Sequence, residues 1–116
     1  MPRSFLPRRR SARRPGEVAP VPEDVESLVE LLERSRQKYS GRNLFGVKQA
    51  DRWQYTTYRE FGDLVDAMRG GLAASGLGPG DRIGIIAHNR IEWAVTAYAV
   101  FGRGATLVPM FEVQHP

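Results

Sequence analysis

Two stretches of the chain have residue types and spacing that could do chemistry. The first is the glycine-rich run at residues 76–81, GLGPGD, because closely spaced glycines let backbone N–H groups approach a phosphate. The second is the pair His88 and Asn89, two polar side chains that directly follow the apolar run at residues 82–87. A phosphate site and a ligand site at the end of a strand are therefore the two chemistries to weigh.

The order of the predicted elements argues against a phosphate site in the glycine-rich run. Phosphate-binding loops follow a strand and open a helix, so that the helix N-terminus faces the phosphate. Residues 76–81 instead follow a helical pattern and precede the apolar run at residues 82–87. We interpret them as a helix stop and a tight Pro79–Gly80 turn, with Asp81 bonding its own turn backbone.

Two interpretations compete for His88 and Asn89. The run at residues 82–87 is typical of a strand buried on both faces, and open α/β sheets place ligands at the carboxyl ends of such strands. The alternative, which we favour, is that Asn89 caps the next helix in a capping box with Glu92, while His88 is a loop residue. Trp93 is interpreted as a core anchor. The sequence assembles no nucleophile–base pair and no metal cluster, so we assign no catalytic, cofactor-binding or metal-binding residues.

The first half of the chain predicts a helix followed by a hairpin. A helix is expected from Pro22, with acids in its first turn where the helix dipole favours negative charge. Residues 44–48 and 53–57 are short extended runs, separated by a polar link of hairpin length. Trp53 and Tyr55 would then lie on one face of this hairpin, because strand side chains alternate.

The second half predicts a parallel strand pair joined through a helix. Thr57 and Glu60 have the capping-box spacing, so a helix is expected to begin there and to bring Gly70–Gly71 tight against the sheet. A helix apolar on nearly all sides runs from Arg90, and residues 105–108 form the second strand, ended by Pro109. So short a connection through a helix joins parallel strands. The fold class is therefore α/β: parallel strands with flanking helices, plus an upstream hairpin.

The composition locates the positive charge outside the expected domain. Six of the 17 lysine and arginine residues lie in residues 1–16, which contain no acid, so the other 11 face 13 acidic side chains and residues 17–116 carry −2. There is no cysteine, which excludes disulfides and thiolate metal sites. We expect residues 1–22, rich in arginine and proline, to be a disordered tail, and residues 23–116 to be part of one domain.

Other roles for the tail stay open. It could be a transit peptide, bind nucleic acid through charge alone, or touch an anionic membrane surface. No apolar run reaches the roughly 20 residues of a membrane-spanning helix. We therefore expect a cytoplasmic protein without a specific nucleic-acid partner, with peripheral membrane contact as the alternative.

Residues 27–116 resemble the N-terminal portion of the AMP-forming acyl-CoA synthetases, members of the adenylate-forming superfamily. Four segments carry the resemblance in the family's order: WQYTTYREF at 53–61, the Gly-Leu…Gly…Gly-Asp-Arg-Ile pattern at 71–83, NRIEW at 89–93 and GATLVPMF at 104–111. The NRIEW segment is similar to the Asn-x-x-Glu-Trp of the long-chain fatty-acid–CoA ligases.

The resemblance implies a two-step reaction that uses ATP, Mg²⁺ and CoA. A fatty-acid carboxylate attacks ATP to give acyl-AMP and pyrophosphate, and the CoA thiol then displaces AMP. The family's phosphate loop, ribose-binding segment and catalytic lysine have no counterpart in residues 1–116. We expect an N-terminal fragment that needs the remainder of the synthetase, binds ATP weakly or not at all, and is inactive alone. The alternative is a non-catalytic interaction module that retains the ligase's N-terminal fold.

Overall fold

The computed structural model describes residues 24–112, so the expected tail at residues 1–22 lies outside the described part. The elements in chain order are α1 (Leu28–Tyr39), β1 (Asn43–Gln49), β2 (Arg52–Thr57), α2 (Tyr58–Ala74), β3 (Arg82–Ile86), α3 (Ile91–Gly102) and β4 (Thr106–Met110). Two separate two-stranded sheets, β1–β2 and β3–β4, accompany these helices in the described residues. The α/β class predicted from the sequence is confirmed.

Strands β1 and β2 form the expected antiparallel hairpin. Only Ala50 and Asp51 separate them, and Ala50 has a φ of 52°, a left-handed conformation that suits a tight hairpin turn. Trp53 and Tyr55 share one face as predicted, and their rings stack with centroids 6.5 Å apart.

Strands β3 and β4 are parallel and are joined through α3, as the short connection predicts. Their register pairs Arg82 with Thr106 and Ile86 with Met110. The expectation that Pro109 ends the second strand is wrong, because Pro109 lies inside β4 opposite Ile85. A two-stranded sheet leaves each strand one unpaired edge, and proline is accepted at such an edge because it has no N–H to donate.

The core forms where the three helices meet the base of the hairpin. Phe61 of α2 lies at its centre and is 1% exposed. Its ring contacts those of Phe45 and Tyr98, with centroids 5.2 and 5.8 Å away. The buried residues of this cluster are Leu32, Phe61, Val65, Val95 and Ala99.

Helix α1 begins later than the acidic residues before it suggest. The expected start at Pro22 is wrong, because the helix begins at Leu28 with Ser27 as its N-cap. The Ser27 hydroxyl accepts a hydrogen bond from the Glu30 N–H at 3.1 Å, and the Glu30 carboxylate accepts one from the Glu26 N–H at 3.1 Å. This Ser-x-x-Glu spacing is a capping signal that sequence reasoning missed.

Helix α2 begins as predicted but packs differently. The Thr57 hydroxyl accepts a hydrogen bond from the Glu60 N–H at 3.2 Å. The expected close approach at Gly70 and Gly71 is wrong, because nothing lies within 4 Å of a Cβ at either position. The tight glycine is Gly62 instead, where a Cβ would lie 2.5 Å from the Arg36 side chain of α1.

Helix α3 is buried on more than one side, as its all-round apolarity predicts. Its buried residues are Val95, Ala97, Ala99 and Val100. The capping box expected at Asn89 is wrong: Arg90 is the N-cap, and no side chain caps the helix.

Candidate functional site

The glycine-rich run forms a helix stop and a turn, as predicted. Gly76 and Gly80 have φ values of 78° and 85°, which glycine adopts without strain. The Leu77 N–H bonds back to the Leu72 carbonyl at 3.0 Å and closes the end of α2. The Asp81 carboxylate accepts a hydrogen bond from the Gly78 N–H at 2.7 Å, so this acid serves the turn.

Arg103, just after α3, makes a second contact with the same turn. Its Nε donates to the Leu77 carbonyl at 2.8 Å. A Cβ at Gly78 would lie 3.0 Å from the Arg103 guanidinium, so a side chain there would require the guanidinium to shift by a few tenths of an ångström. The pairing joins residues 26 positions apart, and no local sequence signal identifies it. The turn is therefore a structural joint between α2, β3 and α3.

The glycine-rich turn does not fit a phosphate group. The Gly78 N–H, which a phosphate oxygen would need, is already bonded to Asp81. The turn also lies at the end of α2, where the helix dipole repels anions. Within residues 24–112 no group of three or more His, Cys, Asp or Glu side chains could hold a metal ion.

His88 and Asn89 lie past the carboxyl end of β3, where the alternative interpretation places a ligand. His88 Nδ1 lies 2.9 Å from a Glu112 carboxylate oxygen, a pairing the sequence did not suggest. The His88 side chain is 76% exposed, and Asn89 is exposed as well. Because the His88 side chain is so exposed, the pair is a surface contact.

Two shallow grooves adjoin the start of α3. The larger has a volume of about 370 Å³ and lies between the hairpin and the β3–α3 loop. Its lining residues are Val47, Gln49, Gln54, Tyr55, Thr56, Asn89, Arg90, Ile91 and Glu92. Trp93 is half-buried and lines the second groove, of about 300 Å³, so it lies outside the core cluster that was expected to contain it.

The densest charge cluster lies away from both grooves, between α1 and α2. Arg36 contacts Asp63 at 2.5 Å and Asp66 at 2.8 Å, and its side chain is 22% exposed. The hydrogen bond to Asp66 raises the pKa of Arg36 above its usual value. This cluster fastens two helices and contains no group poised for proton transfer.

One face of the β3–β4 sheet has no covering element among residues 24–112. Residues on that face alternate with the half-buried Ile83, Ile85 and Leu107. Ile86 is 59% exposed, and Val108 and Met110 are 38% and 39% exposed. The expectation that β3 is buried on both faces is therefore wrong for the described residues. We call the apolar surface of Gly84, Ile86, Val108 and Met110 the open face.

Comparisons with known proteins agree with this architecture. Residues 32–115 match the family model described as AMP-binding enzyme. The chain is 27% identical over 96 residues to fatty acyl-CoA synthetase B of Dictyostelium discoideum, covering 78% of this chain and 14% of that protein. It is 27% identical over 93 residues to long-chain-fatty-acid–CoA ligase 1 of Cavia porcellus, covering 78% of this chain and 13% of that protein.

Two solved structures share the fold. The N-terminal subdomain of NpsA from Klebsiella oxytoca superposes with a TM-score of 0.70 at 21% identity, covering 78% of this chain and 23% of that one. The fatty acid AMP ligase from Legionella pneumophila gives a TM-score of 0.71 at 18% identity, covering 79% of this chain and 16% of that one. The chain spans about one seventh of the length of the curated relatives it matches.

Proposed function

The chain belongs to the AMP-binding enzyme family, and from that premise we propose that it is the N-terminal part of a cytoplasmic long-chain fatty-acid–CoA ligase. The names of the similar proteins, among them long-chain-fatty-acid–CoA ligase 1, support a fatty acid and CoA as substrates. Such a ligase joins a carboxylate to AMP at the expense of ATP and then transfers the acyl group to the CoA sulfur. Mg²⁺ would neutralise phosphate charge in the first step.

Within that enzyme, residues 24–112 act as scaffold. Their glycine-rich turn is closed by Asp81, and the polar residues that follow β3 are exposed, with Asn89 at the edge of an open groove. The catalytic groups and the nucleotide site would lie in the remainder of the synthetase, which is the partner that this part requires.

The observation that carries the scaffold role is the open face. Parallel sheets are normally covered on both sides, yet Ile86 is 59% exposed on a face with no covering element among residues 24–112. Apolar side chains on a parallel sheet favour burial, at about 25 cal/mol per Å² removed from water. A further segment of the ligase packed on this face supplies that burial.

The direct experiment is to read the coding sequence beyond codon 116 and to assay the product of the whole reading frame. We expect the frame to continue into a phosphate loop, and its product to form acyl-CoA from palmitate, ATP, Mg²⁺ and CoA. The 116-residue chain alone should release no pyrophosphate under the same conditions. A stop codon directly after codon 116 would contradict the proposal and favour an interaction module.

A further inference from the structure

The outer half of the β1–β2 hairpin lies outside the core cluster and borders the groove beside the β3–α3 loop. Every residue from 46 to 55 is exposed, although the base of the same hairpin packs into the core through Phe45. Trp53 and Tyr55, large apolar side chains that proteins usually cover, are 58% and 55% exposed here. This segment therefore presents aromatic surface to its surroundings.

The two rings are held in a fixed arrangement. They stack nearly parallel, at an angle of 17°. Gly46 lies opposite Tyr55 in the strand register, and the rings lie across the space that a side chain would fill. A Cβ at Gly46 would be 3.0 Å from the Tyr55 ring and 3.4 Å from the Trp53 ring. The pair is thus a preformed flat surface.

Residues 46–55 carry two cations against one acid, and one of the cations, Lys48, lies on the aromatic face. Lys48 pairs with Trp53 in the register and so shares its face, while Arg52 precedes Trp53 in β2. In the structure's described range, neither cation takes part in an ion pair, and Asp51 is the single acid between residues 46 and 55. The sequence adds six arginines and no acid in residues 1–16.

We propose that the aromatic face of the hairpin, formed by Gly46, Lys48, Trp53 and Tyr55, binds the headgroup region of an anionic lipid bilayer. Tryptophan and tyrosine are favoured at membrane–water interfaces because each ring has an apolar body and a polar edge. A neighbouring lysine can keep its ammonium group among lipid phosphates while its stem lies along the rings. The contact is peripheral, since no helix in residues 24–112 is long and apolar enough to cross a membrane.

The bilayer suits these features better than a protein partner. Its anionic surface is complementary both to the hairpin cations and to the arginine-rich sequence at residues 1–16, whereas an ordered protein surface would have to match each separately. Stable but reversible membrane binding requires two weak attractions acting together. Here the aromatic rings supply one and the basic residues supply the other. This inference does not rest on ligase activity.

The test measures binding of the full chain to phosphatidylcholine vesicles with and without phosphatidylglycerol. We expect binding to the anionic vesicles, with a fraction that persists at 1 M salt, where the screening length falls to about 3 Å. Trp53→Ala/Tyr55→Ala should weaken that salt-resistant binding about tenfold, the effect of losing part of the burial of two rings. The matched control is Leu64→Ala/Met68→Ala, which removes two exposed apolar side chains from α2 and should leave binding unchanged.

A second readout keeps the test decisive if the double variant folds poorly. The chain has two tryptophans, so Trp93→Phe leaves Trp53 as the sole fluorophore and Trp53→Phe leaves Trp93. We expect brominated acyl chains to quench Trp53 and not Trp93. Equal quenching of both, no quenching of Trp53, or equal losses in the two double variants would overturn the proposal. The assay contains no ATP or CoA, so its failure would leave the ligase proposal standing.

Discussion

The Asp81 carboxylate lies 2.7 Å from the backbone nitrogen of Gly78 and accepts its hydrogen bond. This contact occupies the glycine-rich run, the stretch whose composition most suggests phosphate binding. An anion that approached Gly78 would have to displace a carboxylate already bonded there, at the end of a helix whose dipole also opposes it. The Gly78–Asp81 hydrogen bond thus makes the glycine-rich run a structural turn and not a phosphate site.

Replacing Asp81 should therefore affect stability and not ligand binding. Asp81→Ala removes a charged acceptor from a part-buried N–H, and we expect it to lower the free energy of unfolding by about 2 kcal/mol. Urea unfolding measures the loss. Asp51→Ala, in the exposed hairpin turn, is the matched control and should change stability by less than about 0.5 kcal/mol. Equal losses in the two variants would argue against a special role for the Gly78 contact.

The observed helix caps predict a second contrast. Ser27→Ala and Thr57→Ala each delete a hydroxyl that accepts a backbone N–H, and each should cost about 1 kcal/mol. Asn89→Ala should cost less than about 0.5 kcal/mol, because Asn89 caps nothing. Thermal melting of the three variants checks the order. A loss at Asn89 as large as at Thr57 would restore the capping box inferred from the sequence.

Two glycines of α2 should respond to alanine in opposite directions. Gly70→Ala should stabilise the chain by up to about 1 kcal/mol, because alanine favours the helix and the space around Gly70 is open. Gly62→Ala should destabilise it, since the new methyl group would meet the Arg36 side chain at 2.5 Å. Chemical denaturation of both variants decides the point. A gain at Gly62 would show that Arg36 can move away without loss.

The ion pairs of Arg36 should contribute equally at neutral and moderately alkaline pH. The hydrogen bond to Asp66 raises the pKa of Arg36, so its contribution is complete below the usual pKa of arginine and is lost only as pH rises through the still higher folded value. Arg36→Met should cost about 1 to 2 kcal/mol. That difference from the wild type should stay constant from about pH 7 to pH 9.

The matched control for Arg36 is Arg59→Met. Arg59 is exposed and forms no ion pair in the part of the chain that the structure describes, so its replacement should be nearly neutral. A penalty at Arg36 that shrinks between neutral and alkaline pH, or one no larger than at Arg59, would contradict the role of the Asp63–Asp66 cluster.

Features encoded over a few neighbouring residues were predictable from the sequence. The Thr57 cap, the hairpin and the parallel pair around α3 all follow from short-range patterns. Two local features, the start of α1 at Ser27 and the cap of α3, were nevertheless misassigned. The misplaced glycine contact depends on tertiary packing: which face of α2 packs decides that Gly62, and not Gly70, is the tight position. The site contacts are equally non-local, since Arg103 reaches Leu77 across 26 residues.

The measurement that tests the scaffold role most directly is acyl-CoA formation by the product of the whole reading frame carrying Ile86→Asp. In the 116-residue chain this substitution replaces a 59% exposed side chain and should change stability by less than about 1 kcal/mol. In the whole product it would bury an unpaired carboxylate under the covering segment, and we expect most of the activity to be lost. Leu28→Asp, at the exposed start of α1, is the control and should leave activity intact. Full activity of the Ile86→Asp product would show that the open face stays open, and would contradict the scaffold role.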